Sequence, residues 1–231
     1  MEADVQKPTY THDVFVSYSR KDEEFASKLE QALENYKPPK GFKVPRRNLD
    51  IFRDKKDFTG VDDPQALATH LQESAKLLVI CSPNARKSTF VTDEIRRFAK
   101  TNGADNIIPL LLSGIPNNEA TREQDDEKAF PEALCEFMAM PLAASYVGFD
   151  FRKDKVNRSP FDDSWYTILA NIYGVSRGEV EQRDKRRQVR NRNLTRAEWK
   201  QYLGDIEPYR ATCPGLPIEE EKPVEGQAGK Q

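Results

Sequence analysis

Four short apolar runs, each followed by a stretch with helical spacing, constrain this chain more than any other feature. The runs lie at residues 14–16, 49–52, 76–82 and 107–112, and the third reads Lys76-Leu-Leu-Val-Ile-Cys-Ser82. Continuous apolar runs of this length bounded by polar turns suit strands buried on both faces. After the first, Phe25, Leu29, Ala32, Leu33 and Tyr36 fall on one helical face, and the pair Pro38-Pro39 ends that helix. Ser19 with Asp22 three residues on gives the capping signature at its start. After the second run, a polar loop over 53–63 leads to Asp63 as an N-cap with Pro64 at the first helical position. After the third, Phe90, Val91, Ile95 and Phe98 continue as one helical stripe. Beyond the fourth come an acidic loop through Glu119 to Glu127, a short helix near 131–138, an extended piece at 145–151 and a helix across Trp165, Ile168, Leu169 and Ile172. Strands alternating with helices predict an α/β domain: a mostly parallel five-stranded sheet with helices on both faces and right-handed crossovers.

At 231 residues the chain suffices for one such domain plus an extension. The expected organisation is an N-terminal tail over 1–10, the α/β domain over 11–175, a basic helical extension over 176–205 and a tail over 206–231 that contains Pro, Gly and Glu. Ser176 with Glu179 and Thr195 with Glu198 mark helix starts in the extension. A net charge of −2 offers no global field for nucleic acid or an anionic membrane. The Arg183 to Arg196 stretch lacks interleaved aromatics and reads as a solvated basic helix, with a nucleic-acid-binding adaptor as the weaker option. Three widely spaced cysteines, Cys81, Cys135 and Cys213, argue against a disulfide scaffold and a zinc site, and two histidines are too few for a metal cluster, so no metal is expected. No signal-peptide pattern or membrane-length apolar run occurs, which reads as a cytoplasmic protein.

One acid stands in an uncommon place. Glu94 follows Phe90 by four residues, at the border of the helix's apolar stripe. That helix follows a strand, so Glu94 lies near the carboxyl edge of the sheet, where open α/β folds take their ligands. The same edge gathers Phe15, Ser17, Tyr18 and Arg20 after the first strand, Arg53 and Asp54 after the second, and Ser82 and Ser88 after the third. No GxGxxG follows a strand, which disfavours a retained dinucleotide cofactor.

These residues carry a family resemblance. Asp13-Val-Phe-Val-Ser-Tyr-Ser-Arg-Lys-Asp22 resembles the first strand and turn of a Toll/interleukin-1 receptor (TIR) domain. Ile51-Phe-Arg-Asp54 leading to Gly60 resembles its second strand and BB loop. Leu78 to Ser82 with Phe90 to Ile95 resembles the third strand and the helix bearing the family's glutamate, and Ile107 to Ser113 the fourth strand. The likeness covers about residues 11–184 and implies the flavodoxin-like TIR fold.

TIR domains divide into adaptors that assemble and enzymes that cleave NAD+ at the nicotinamide ribosyl bond. The glutamate separates them, and its match is Glu94. Phe90 stands where the family usually has tryptophan, keeping an aromatic wall and losing the indole donor. By resemblance Glu94 is catalytic, and Phe15, Ser17, Tyr18, Arg20, Arg53, Asp54, Ser82, Ser88 and Phe90 bind substrate, with Arg20 and Arg53 placed for the pyrophosphate. NAD+ is then substrate, not cofactor, and the product is ADP-ribose or a cyclic relative. The resemblance further implies self-association through the TIR domain and BB loop, use in bacterial antiphage defence, and a separate sensor or effector partner. The stretch Leu194 to Leu203 through Tyr209 to Pro217 resembles the closing segment of larger bacterial proteins that carry NTPase or WD-repeat modules. The rival reading is a non-enzymatic scaffold docking through the BB loop.

Overall fold

In the computed structural model five parallel strands form one sheet in the order β2-β1-β3-β4-β5: β1 (His12–Ser17), β2 (Ile51–Arg53), β3 (Ser74–Cys81), β4 (Ile107–Leu111) and β5 (Ala144–Ser145). The described residues are 10–39, 44, 47–53, 64–139, 141–190, 193–203 and 208–212. The register sets Val14 opposite both Ile51 and Lys76, Leu77 opposite Ile107, and Leu110 opposite Ala144.

Strand order and crossover hand decide which helix covers which face. From β1 the chain steps outward to β2 through α1 (Glu23–Glu34), then reverses direction to reach β3 through α2 (Pro64–Gln72). Right-handed crossovers therefore put α1 and α2 on opposite faces. The steps to β4 through α3 (Pro83–Arg86) and α4 (Thr89–Asn102), and to β5 through α5 (Glu132–Phe137), keep the direction of the second crossover and share its face. One contiguous core reflects this: Phe15, Leu77, Val79, Cys81, Ile107 and Leu111 of the sheet pack with Leu71 of α2, Val91, Ile95 and Phe98 of α4 and Leu134 of α5. Alternate strand residues face the other way. Val14, Val16, Leu78, Ile80 and Leu110 are buried there, with Phe25, Leu29 and Leu33 of α1 and Trp165, Ile168 and Leu169 of α6 (Asp162–Tyr173). Each fully buried Leu, Ile or Phe contributes on the order of 1.5–3 kcal/mol.

Several local expectations need correction. Ser19 makes no side-chain cap; a 3-10 turn over Arg20–Asp22 precedes α1, closed by the Asp22 amide donating to the Ser19 carbonyl at 2.7 Å. Phe90 is not part of the buried stripe: it is 64% exposed, because it sits about 100° of helical rotation from Val91, beyond the stripe that Ile95 and Phe98 centre. The extended piece shrinks to Ala144 and Ser145, and Gly148 at φ +85 turns the chain away. The acidic loop is a 3-10 helix, Arg122–Glu127, opened by a Thr121/Gln124 capping box and held by Arg86–Asp125 and Lys87–Asp126 ion pairs to the α3 end. Asp54, Asp63 and the body of the BB loop lie outside the described residues.

The chain divides into two compact units, Met1–Pro38 with Phe42–Arg177, and Pro39–Gly41 with Gly178–Gln231. The second contains nearly all of α7 (Arg177–Arg190) and α8 (Arg196–Leu203). Within it Glu179–Arg183 and Glu181–Lys185 pairs run along α7, and Thr195 and Glu198 form the expected capping box. Trp199 meets the Tyr209 ring edge-on at 5.8 Å. Among the described residues no helix is long and apolar enough to cross a membrane.

Candidate active site

The site grows from strand parity. Phe15 faces the α4 side of the sheet, so Ser17, two residues on, faces it too. On α4, Glu94 lies about 60° of helical rotation from Val91, on the flank of the buried stripe. The two meet: the Ser17 hydroxyl donates to Glu94 Oε2 at 2.6 Å. That length suits a hydroxyl on an ionised carboxylate. Ser17 is buried and Glu94 half-buried. One carboxylate oxygen is thus held from the end of β1 while the group keeps access to solvent.

Strand order reverses between β1 and β3, and Ser17 and Cys81 end those strands, so the pair stands at the topological switch point where open sheets leave a crevice. A second contact ties the loops there. The Ser82 hydroxyl donates to Asp22 Oδ2 at 2.6 Å and accepts from the Ala85 amide at 3.0 Å, while Asn84 Nδ2 donates to Asp22 Oδ1 at 3.4 Å. Burial raises the Asp22 carboxyl above its ordinary range, against the lowering effect of these two donors. Ser82 therefore serves as cap of α3 and link to the β1 turn. Asp22 carried no sequence signal beyond a cap.

Arg53, at the end of β2, is drawn inward. Its Nε donates to Glu30 at 2.9 Å and one terminal nitrogen to the Tyr18 hydroxyl at 3.1 Å, with Glu23 at 3.4 Å; the Arg53 and Glu30 side chains are 5% and 7% exposed. Burial works against the guanidinium charge, but Glu30 and Tyr18 outweigh it and its pKa ends above the ordinary value. In this arrangement Arg53 is a buried ion-pair partner with its guanidinium 5.6 Å over the Tyr18 ring. Phe15 lies wholly within the core, stacked on Phe52 at 5.2 Å.

Arg20 is exposed. Ser88 caps α4, accepting from the Val91 amide at 3.3 Å. Phe90 stands out from the first turn of α4 over an open cleft shared with Lys87, Ser88, Thr92 and Arg96. Ser17 and Glu94 are joined, as are Tyr18 and Arg53, whereas Ser82, Ser88 and Phe15 are occupied by caps and core. Cys81 is fully buried, which pushes its thiol up and leaves it no part as a thiolate nucleophile.

Fold and site together define a flavodoxin-like α/β domain with a tethered carboxylate at its switch point. The model of the TIR domain family matches residues 14–158, and the chain belongs to that family. No curated protein matches it. Among solved structures it is similar to the TIR domain of a Toll-related receptor from Hydra magnipapillata, with 21% identity over 48% of this chain and 82% of that one (TM-score 0.32). A TIR-STING receptor from C. gigas in complex with 2',3'-cGAMP shares 17% identity over 73% of this chain and 41% of that one (TM-score 0.44). The TIR domains of the activated Roq1 resistosome share 14% identity over 71% and 100% (TM-score 0.39).

Proposed function

We propose that the chain is a TIR-domain NAD+ glycohydrolase with Glu94 as its catalytic carboxylate. The observation that carries this reading is the Ser17–Glu94 hydrogen bond, which fixes a half-buried, solvent-accessible acid at the crevice of the sheet. The chemistry suits one acid. Nicotinamide is bound to the ribose as a pyridinium and departs as a neutral base, so no general acid is needed, unlike an ordinary glycosidase with two carboxylates. Charge then develops on the ribose as an oxocarbenium-like cation, and a pre-positioned anion stabilises it. Phe90 and Arg20 are exposed near the same edge, where the dinucleotide would meet them. The product is ADP-ribose or a cyclic relative, the setting is bacterial antiphage defence, and activity rises with self-association.

Incubating purified protein with NAD+ and following nicotinamide release tests the reading. Glu94→Gln keeps the shape and an oxygen for the Ser17 donor, so it abolishes release while leaving the thermal melt nearly unchanged. Equal rates in variant and wild type would sink the proposal. No release from wild type at any concentration would favour the scaffold, in which the exposed Phe90 serves docking.

A further inference from the structure

The chain's two histidines, 58 residues apart in sequence, meet at the amino edge of the sheet. His12 opens β1 and His70 lies in the last turn of α2. His12 Nε2 is 3.1 Å from His70 Nδ1, and His12 Nδ1 is 2.5 Å from Asp50 Oδ1. Phe52 walls the pair, stacked on His70 with ring centroids 4.2 Å apart and 5.2 Å from His12. The His12 side chain is 13% exposed.

This geometry does more than a solitary histidine contact. Asp50 holds the proton of His12 on Nδ1, which turns the Nε2 lone pair toward His70 Nδ1. Two imidazole lone pairs cannot face each other at 3.1 Å with nothing between them. In the free protein one proton separates them. A divalent ion can bridge the same two nitrogens from beside the line that joins them: with metal–nitrogen bonds of about 2.0–2.1 Å, the 3.1 Å spacing gives a nitrogen–metal–nitrogen angle of about 95–100°, between the values of square-planar and tetrahedral sites. Asp50 behind His12 is the carboxylate partner that metal-bound histidines ordinarily have.

We propose that His12 Nε2 and His70 Nδ1 form a binding site for a divalent transition ion that favours imidazole, Zn2+, Ni2+ or Cu2+, with Asp50 orienting His12. Binding moves the His70 proton from Nδ1 to Nε2, so the proton count is unchanged when both rings start neutral. Among the described residues no group of three or more His, Cys, Asp or Glu is arranged to hold a metal, so water completes the coordination. The ion joins the end of α2 to the start of β1. Five strand steps, about 17 Å, separate His12 from Ser17, which keeps this site apart from the Glu94 chemistry.

The test is titration of tag-free protein, in a Cys135→Ser, Cys213→Ser background to remove thiol binding, with NiCl2 and with ZnCl2 in a calorimeter. One ion per chain is expected, with a rise in melting temperature. Asp50→Asn weakens binding about 10- to 100-fold and His70→Ala removes it. Cu2+ should give an electron paramagnetic resonance spectrum with two imidazole nitrogens. No saturable binding by the wild-type chain overturns the proposal whether or not the variants fold, as does one-to-one binding that survives both His70→Ala and His12→Gln.

Discussion

Ser17→Ala removes the hydroxyl that donates to Glu94 Oε2. The 2.6 Å bond is charge-assisted, and a hydrogen bond to a charged group contributes about 1.5–3 kcal/mol. Glu94 is half-buried, so water replaces part of the lost donor and the lower end of that range applies. A loss of about 1.5–2.5 kcal/mol in transition-state stabilisation lowers kcat by about 10- to 100-fold. Because Ser17 is buried against the core and points at Glu94, the loss belongs to orientation of the acid, and KM stays within about twofold. The same bond is lost from the folded state, so stability falls by about 1.5–2.5 kcal/mol, or about 3–10 °C in melting temperature for a domain of this size. Steady-state nicotinamide release over a range of NAD+ concentrations, beside a thermal melt, measures all three. A raised KM with unchanged kcat would refute positioning and make Ser17 a direct substrate ligand.

Three further outcomes follow from the packing. Arg53→Met removes the 2.9 Å Arg53 contact from the buried Glu30, and chemical denaturation should show a loss of about 3–5 kcal/mol. Pairing it with Glu30→Met should restore most of that loss; a single-variant effect confined to KM would point to a phosphate ligand instead. Asp22 has a folded-state pKa raised above 3.8 by burial, so its contribution to stability is fully present below 3.8 and declines as pH rises through the folded value. Asp22→Asn keeps an acceptor for Ser82 and should therefore gain in melting temperature relative to wild type as pH rises, with the gain gone in strong acid. Gly114 sits at φ +86, and a Cβ there would lie 2.5 Å from the Glu127 carbonyl oxygen. Gly114→Ala should destabilise by about 2 kcal/mol or more, read from the denaturation midpoint.

Much of the fold was legible because its signals are local. Runs such as Leu77 to Ile80 are apolar without alternation, as strands covered on both sides must be, and helices follow them at short range. Strand order, by contrast, was not legible, since no local pattern tells whether β2 lies outside β1 or between β1 and β3. The weakest readings fell where a short polar side chain had two partners to choose from. Ser19 and Asp22 have the spacing of a cap, yet the Asp22 carboxylate is taken by Ser82, 60 residues away.

The site was legible in its parts and not in its pairings. Glu94 and Ser17 could each be placed on the carboxyl edge, and the hydrogen bond between them was implicit in parity. Ser17 shares a face with Phe15, the β2-to-β3 crossover reverses direction, and α4 continues on that same face, so the last residue of β1 points toward α4. Phase along α4 needed equal care, because taking Phe90 as its centre hides how far that ring turns out, whereas Val91, Ile95 and Phe98 leave Glu94 on the flank and Phe90 outside. Arg53 shows where such reasoning stops. A cation at the end of a strand on the ligand edge is equally suited to a phosphate or to an inward acid, and only the position of Glu30, one face of α1 folded over β2, decides which it meets. A charge's role in an α/β site is thus set by the helix packed above it as much as by its place on the sheet.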